Sequence, residues 1–243
     1  MTEAIVVMSG GADSCICLFE AIERWGKENI EVITFTYGQR HEREVEQAQK
    51  ICKMLDIPQI IIPLSGWDKI RGSALFETNS EITINEQTGL PTSFVPGRNV
   101  IFLTYAAAYA YTKNCHNLVT GVCQTDYSGY CDCRDSSIKA LQGALTLCLG
   151  YDIYIHTPLM WLTKAESIEL AIKNGAISYL KHTQTCYNNK RPACGLCPAC
   201  KLRIQGFKDA KTQDPLEYEI DIDWTDCAMM ASANGSLIED ENE

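Results

Sequence analysis

The run Ser9-Gly10-Gly11-Ala12-Asp13-Ser14 stands directly behind five apolar residues, Ala4-Ile5-Val6-Val7-Met8. A short apolar run of that length reads as a buried strand, and the glycine pair ends it. A helix then starts near Ser14. Glycine lets the backbone turn tightly and approach a ligand closely because it has no Cβ. The N–H groups of such a turn and of the first helical residues converge on one point. Backed by the helix dipole, they suit phosphate oxygens. Strand, phosphate-type turn and helix in the first twenty residues therefore imply an α/β nucleotide-binding fold. No Lys-Ser/Thr pair follows the glycines and the spacing is not G-x-G-x-x-G, so neither a Walker loop nor a dinucleotide fingerprint is present here. Taken alone, the same six residues would also make an ordinary tight turn with Ser9 or Asp13 capping the helix.

The alternation continues along the chain. Residues 31–37, 59–64, 117–122 and 152–156 read as strands, and residues 14–26, 41–55, 99–114 and 136–149 as helices. Strands alternating with helices of this length give βαβ units and a doubly wound, mostly parallel sheet of the Rossmann type. Ligands of such sheets sit beyond the carboxyl ends of the strands. Residues 66–97 break the pattern: they are polar, with turn signals at Asn85, Gly89-Leu90-Pro91 and Pro96-Gly97. They read as an insertion near the site. The chain thus divides into an α/β domain over 1–180, a cysteine-bearing segment over 181–213 and an acidic extension over 214–243.

The net charge of −10 is unevenly placed: residues 214–243 hold ten Asp and Glu and no Lys or Arg, leaving 21 acidic and 21 basic residues before them. A neutral body without a basic stripe is poor material for gripping nucleic acid. The extension, at least beyond Ala231, reads as solvated. No apolar run reaches eighteen residues, so no membrane span is expected, and the start Met-Thr-Glu-Ala carries no secretory pattern. The expected compartment is the reducing cytoplasm, where clustered cysteines are metal ligands. Cys186, Cys194, Cys197 and Cys200 form such a cluster, with two overlapping C-x-x-C steps. Four thiolates suit a closed tetrahedral Zn2+ site. Gly195 allows the chelate turn, and Pro198 starts a helix carrying Cys200. The scattered Cys17, Cys52, Cys115, Cys123 and Cys148 read as small buried hydrophobes.

The order S-G-G-x-D-S resembles the PP-loop of the ATP pyrophosphatase superfamily, with Ala12 and Cys15 at positions where that pattern often has Leu or Val and Thr or Ser. Further motifs narrow the resemblance: Tyr37-Gly38-Gln39-Arg40-His41, Pro96-Gly97-Arg98-Asn99, Asp126-Tyr127-Ser128-Gly129-Tyr130-Cys131-Asp132-Cys133-Arg134, the run 157–166 ending in Thr163-Lys164-Ala165-Glu166, and the cysteine cluster with Leu202-Arg203 and Gly206-Phe207 behind it. In this order, over about residues 4–215, they resemble the 7-cyano-7-deazaguanine synthase family of the queuosine precursor pathway. Cys131 and Gln184 depart from it, standing where Pro and Trp are common.

The resemblance implies an adenine nucleotide α-hydrolase-like fold and an ATP-driven ligase. Its small-molecule substrates would be 7-carboxy-7-deazaguanine, ammonia and ATP, with Mg2+ offsetting phosphate charge. A homodimer is implied too. It places ATP on Met8, Ser9, Gly10, Gly11, Ala12, Asp13, Ser14, Gln39 and Arg40. Ser9, Asp13, Ser14, Lys164 and Arg98 are the implied catalytic group, Lys164 neutralising phosphate. Arg98, Asn99, Asp126, Tyr127, Ser128, Tyr130, Asp132 and Arg134 are expected to hold the substrate, a carboxylate accepting from the N1–H and amine of a guanine-like ring. Two rivals remain at this point. A PP-loop sulfurtransferase acting on tRNA would need a persulfide cysteine, for which Cys15 and Cys123 are the candidates. A nucleotide-binding regulatory module would need no chemistry at all.

Overall fold

The computed structural model describes residues 1–38, 42–66, 92, 94–125 and 130–228. The insertion at 66–97 and the stretch beyond Ala228 fall largely or wholly outside them. Five parallel strands form one sheet: β1 (Ala4–Val7), β2 (Ile30–Thr36), β3 (Gln59–Pro63), β4 (Asn117–Thr120) and β5 (Tyr154–His156), in the order β3-β2-β1-β4-β5. Helices α1 (Ala12–Trp25), α2 (Glu42–Leu55), α3 (Arg98–Thr112) and α4 (Asp135–Leu149) are the crossovers, followed by α5 (Lys164–Lys173) and α6 (Pro198–Asp209). The expected strands and helices all appear, with ends shifted by one or two residues. β3 ends at Pro63 and α3 begins at Arg98, on either side of residues 66–97.

The strands are apolar on both sides because helices cover both faces. Ala4, Val6, Ile30 and Val32 point into a core shared with α1, α2, α5 and Phe207 of α6. Ile5, Ile33, Phe35 and Leu118 point the other way, into a core with Leu103, Ala106, Ala107 and Ala110 of α3 and Ile138 and Leu145 of α4. The run of alanines along α3 lets that helix lie close to the sheet. The winding direction reverses between β1 and β4, whose registers pair Ala4 with Asn117 and Val7 with Thr120. In an open α/β sheet this is where a ligand crevice opens.

Behind the sheet, Arg203 on α6 is buried. Its guanidinium reaches Asp214 through Nε–Oδ2 (2.6 Å) and Nη2–Oδ1 (2.8 Å), and also donates to Thr183 Oγ1 (2.7 Å) and the Leu180 carbonyl (3.0 Å). Asp214 is the first residue of the acidic stretch. It further accepts from the Tyr218 hydroxyl at 2.7 Å. A bidentate pair satisfied on every side in this way fixes the chain path after α6. The start of the acidic stretch is thereby held against the body, with Lys190 meeting Glu219 at 2.8 Å.

Candidate active site

The phosphate-type turn begins where β1 ends. Met8 N–H donates to the Ile33 carbonyl (2.9 Å), and the Thr34 hydroxyl donates to the Met8 carbonyl (2.8 Å), so the strand end is held rigidly. Gly10 has φ +93°, and a Cβ there would lie 1.9 Å from the backbone oxygen of Glu44 on α2. Only glycine satisfies both conditions. Gly11 N–H donates to Ser9 Oγ (3.2 Å), Ser9 N–H to Ser14 Oγ (3.2 Å), and the Ser14 hydroxyl to the Gly11 carbonyl (3.0 Å). The serine pair is therefore an internal brace of the loop. The amides of Ala12, Asp13 and Ser14 open α1 and have no partner within that helix.

Lys164 arrives at the start of α5, which packs on the same face of the sheet as α1. Thr163 caps α5 in a capping box with Glu166, which starts the helix at the lysine. Its Nζ lies 2.8 and 2.9 Å from the two carboxylate oxygens of Asp13. Gly206 of α6 makes room for the lysine stem, since a Cβ there would come within 2.4 Å of Lys164 Cγ. Residues far apart in sequence thus place a cation beside the first turn of α1.

A cavity of about 330 Å³ opens at the carboxyl ends of β1, β2 and β4. Its described lining includes Met8, Ser9, Gly11, Ala12, Asp13, Ser14, Arg98, Asn99 and Tyr130, all expected from the sequence. Phe35 and Phe102 stack at 4.5 Å and form one wall with Tyr37. Arg98 Nη1 donates to the Tyr37 hydroxyl at 3.3 Å. Burial opposes the charge on Arg98, but Tyr37, Tyr130 and Glu44 around it outweigh burial and hold its pKa above the ordinary arginine value. Burial raises the Tyr37 phenol, partly offset by Arg98. The same balance acts on Glu44, which burial pushes up to about 7 against the pull of Arg98.

Not every predicted residue reaches the cavity wall. Asp132 is buried, and its Oδ2 accepts the Asn99 N–H at 3.0 Å, so it fixes the first turn of α3. Arg134 is exposed at the start of α4. Neither belongs to the described lining. Gln39, Arg40, Asp126, Tyr127 and Ser128 lie outside the described residues, as does His41. Glu44 and Tyr187 line the cavity and were not singled out from the sequence. The available signal for Glu44 was its place in the first turn of a helix following a strand end.

The four cysteines come together as expected: their sulfur atoms lie within 4.8 Å of one another, with Cys194 and Cys200 Sγ 4.0 Å apart. Four thiolates at about 2.3 Å from a central Zn2+ would sit about 3.8 Å apart, so the residues fit such an ion. Cys194 N–H donates to Cys186 Sγ (3.5 Å) and Cys197 N–H to Cys194 Sγ (3.4 Å), stabilising thiolate character. Hydrogen bonding from Cys200, opposed by burial, holds the Cys197 thiol down to about 5. Gly195 has φ +71°, with Ile220 packed where a Cβ would point. Of the scattered cysteines, Cys17, Cys52, Cys115 and Cys123 are buried, but Cys148 is exposed. It lies on α4 next to Leu147, which is itself 83% exposed, so that helix face meets no other element among the described residues.

The model of the family "Queuosine biosynthesis protein QueC" matches residues 3–211. A protein of Chromobacterium violaceum named 7-cyano-7-deazaguanine synthase is 47% identical over 88% of this chain and 92% of its own length. One of the same name from Staphylococcus haemolyticus is 45% identical over 85% of this chain and 92% of its own. Among solved structures, a predicted subunit of a tRNA methyltransferase from Methanocaldococcus jannaschii aligns with a TM-score of 0.44 at 20% identity, covering 71% of this chain and 75% of that one.

Proposed function

The chain belongs to the QueC family of queuosine biosynthesis proteins, and on that premise we propose that it converts 7-carboxy-7-deazaguanine and ammonia to 7-cyano-7-deazaguanine at the expense of ATP. The observation that carries this reading is the single cavity joining the phosphate turn to Arg98 at the β1–β4 switch point, with Lys164 beside it.

A carboxylate resists attack by ammonia because its oxygen leaves poorly. Transfer of the adenylyl group from ATP makes that oxygen a good leaving group and releases pyrophosphate. The amides of Gly10, Gly11, Ala12, Asp13 and Ser14, with Ser9 Oγ, face the phosphates, and Lys164, still paired with Asp13, meets the departing pyrophosphate. Ammonia displaces AMP to give the amide. A second adenylation, now on the amide oxygen, followed by loss of AMP and two protons from nitrogen, leaves the nitrile. Arg98 holds the substrate carboxylate, Asn99 and Tyr130 flank the ring, and the Phe35–Phe102 wall accepts a flat base. Gln39, Arg40, Asp126, Tyr127 and Ser128 complete the nucleotide and substrate contacts in this proposal, Asp132 and Arg134 supporting them from behind.

Mg2+ would screen the phosphate charge, and Zn2+ on Cys186, Cys194, Cys197 and Cys200 would serve structure, since four protein ligands leave no open position. No helix of the described residues is long and apolar enough to cross a membrane. We place the enzyme in the cytoplasm, as a homodimer that works on small molecules without nucleic acid. A persulfide chemistry is disfavoured by Cys15, which is buried with its thiol pushed up to about 12 by desolvation. Mass spectrometry of a reaction with the deazaguanine acid, ammonium and ATP tests the proposal. Nitrile with two AMP and two pyrophosphate per turnover is expected; ATP consumption without nitrile overturns it.

A further inference from the structure

Two carboxylates belong to the described lining of the cavity, Asp13 and Glu44. Asp13 is held by Lys164. Glu44 is placed with equal firmness, and no structural task for its carboxylate is visible among the described residues. Its own backbone oxygen is the atom against which Gly10 packs, so its Cα is locked to the phosphate turn. Its side chain faces Arg98 from α3 and Tyr37 from the end of β2, with Tyr130 across the cavity and Asp13 on the turn. A carboxylate desolvated between a nucleotide turn and a substrate-facing arginine is disfavoured in its charged form. Such a group persists where chemistry uses it.

The proposed reaction has a need that no residue assigned so far meets. After ammonia attacks the acyl-adenylate, the new C–N bond leaves a proton on nitrogen that must depart as AMP leaves. In the second half, the adenylated amide carries two N–H protons. Both must be removed while the C–O bond to the adenylyl oxygen breaks and the nitrogen electron pairs form the triple bond. Among the assigned residues of the described lining, Arg98 is a cation, Tyr37 is pushed up by burial, and the Asp13 carboxylate is engaged through both oxygens by the Lys164 ammonium, so none of them is placed to accept a proton at neutral pH. We propose that Glu44 is the general base of the nitrogen steps, taking these protons on a carboxylate oxygen and passing them to solvent at the cavity mouth. A base whose own pKa lies close to the working pH combines a populated basic form with adequate strength, which is the value burial gives Glu44. Arg98 has a second part here: it keeps Glu44 from being protonated throughout.

This role rests on the adenylation reading above, and the test separates the two. Single-turnover reactions are run with wild-type enzyme, Glu44→Gln and Glu44→Asp. One arm supplies the deazaguanine acid and ATP without ammonia and reads pyrophosphate. A second arm supplies the preformed amide and ATP and reads nitrile across pH 5.5–9, which removes the ammonium equilibrium from the profile. In wild-type enzyme the nitrile rate should fall below an apparent pKa near 7. In Glu44→Gln the nitrile rate should drop about 100-fold or more with that limb gone, while pyrophosphate release from the acid stays within about threefold of wild type; Glu44→Asp should recover part of the rate. A Glu44→Gln enzyme that keeps the nitrile rate and the limb overturns the role, as does one that loses acid adenylation equally. Wild-type enzyme that releases no pyrophosphate with the acid overturns the functional reading itself, and the base with it.

Discussion

Gly10 and Gly11 look interchangeable in the sequence, and the structure separates them by a measurable amount. At Gly10 the backbone sits at φ +93°, which costs an L-residue about 1–2 kcal/mol. An added Cβ would also stand 1.9 Å from the Glu44 carbonyl oxygen and 2.8 Å from its carbon, both main-chain atoms that no rotamer change can move. Relief requires the turn or α2 to shift by about 1 Å, and α2 is pinned by fully buried Ala48 and Ile51; overpacking of this kind costs about 1–3 kcal/mol. Gly10→Ala should therefore lose about 2–5 kcal/mol, which for a chain of this size is a Tm drop of about 4–20 °C. At Gly11 φ is −80°, and a Cβ would meet only Ser9 Oγ at 3.4 Å and the Gln184 carbonyl at 3.8 Å. Gly11→Ala should leave Tm within about 2 °C of wild type. Its effect should appear in ATP affinity, because a methyl group would crowd a phosphate approaching the turn. Scanning calorimetry and ATP titration by isothermal calorimetry on both variants decide the matter. Equal Tm values for the two, or a Gly10→Ala protein as stable as wild type, would refute the argument that α2 is packed onto this turn.

Lys164→Met should lower kcat/KM about 100-fold or more by removing a cation from the phosphate site, yet change Tm little, because the pair with Asp13 is partly exposed and such pairs contribute about 0–1 kcal/mol. In protein loaded with Zn2+, Cys200→Ser should lower the metal retained in metal analysis and weaken ATP binding in the same preparation. Asp214→Asn strips the charge opposite Arg203 and should cost about 3–5 kcal/mol in chemical denaturation, the scale for breaking a buried pair. Glu44 binds a proton more tightly in the folded chain than in the unfolded one. Its contribution to stability is therefore full below the unfolded value of 4.5 and lost as pH rises through about 7. Glu44→Gln should accordingly be more stable than wild type at pH 8 and should flatten the denaturation profile between pH 5 and 8, even as activity falls.

The fold was legible because each element carries its own period. Strands of three to seven residues were found from apolar runs, and α1 and α6 from Gly11 and Pro198 at their starts. The cysteine cluster was legible because its spacing alone closes a chelate. The site was legible only where a motif spans it: the phosphate turn and Arg98-Asn99 line the cavity as expected. Asp132 shows the limit. A carboxylate in an Asp/Tyr/Ser-rich turn reads equally as ligand or cap, and its bond to the Asn99 amide depends on where α3 happens to begin, which no local pattern encodes. Glu44 and Gln184 were illegible for a related reason. Their importance comes from backbone atoms meeting Gly10 across the fold, and backbone contacts leave no trace in side-chain chemistry.

That last contact bears on what a metal held by the four cysteines would do in this chain. Gln184 N–H donates to the Gly10 carbonyl at 2.9 Å, and Gln184 Nε2 donates to the carbonyl of Cys186 at 3.1 Å. The next residue, Tyr187, lines the cavity. The segment that supplies the first thiolate is therefore the same segment that orients the peptide after Gly10, whose N–H belongs to Gly11. A closed site does no chemistry on substrate, but its binding free energy becomes folding free energy of the residues it fixes, and here those residues end on the phosphate turn. Gly10 is consequently clamped from two sides, by the Glu44 backbone through close packing and by the Gln184 backbone through a hydrogen bond. One clamp comes from the crossover after β2 and the other from the cysteine segment, so the shape of the turn rests on both halves of the chain folded around it.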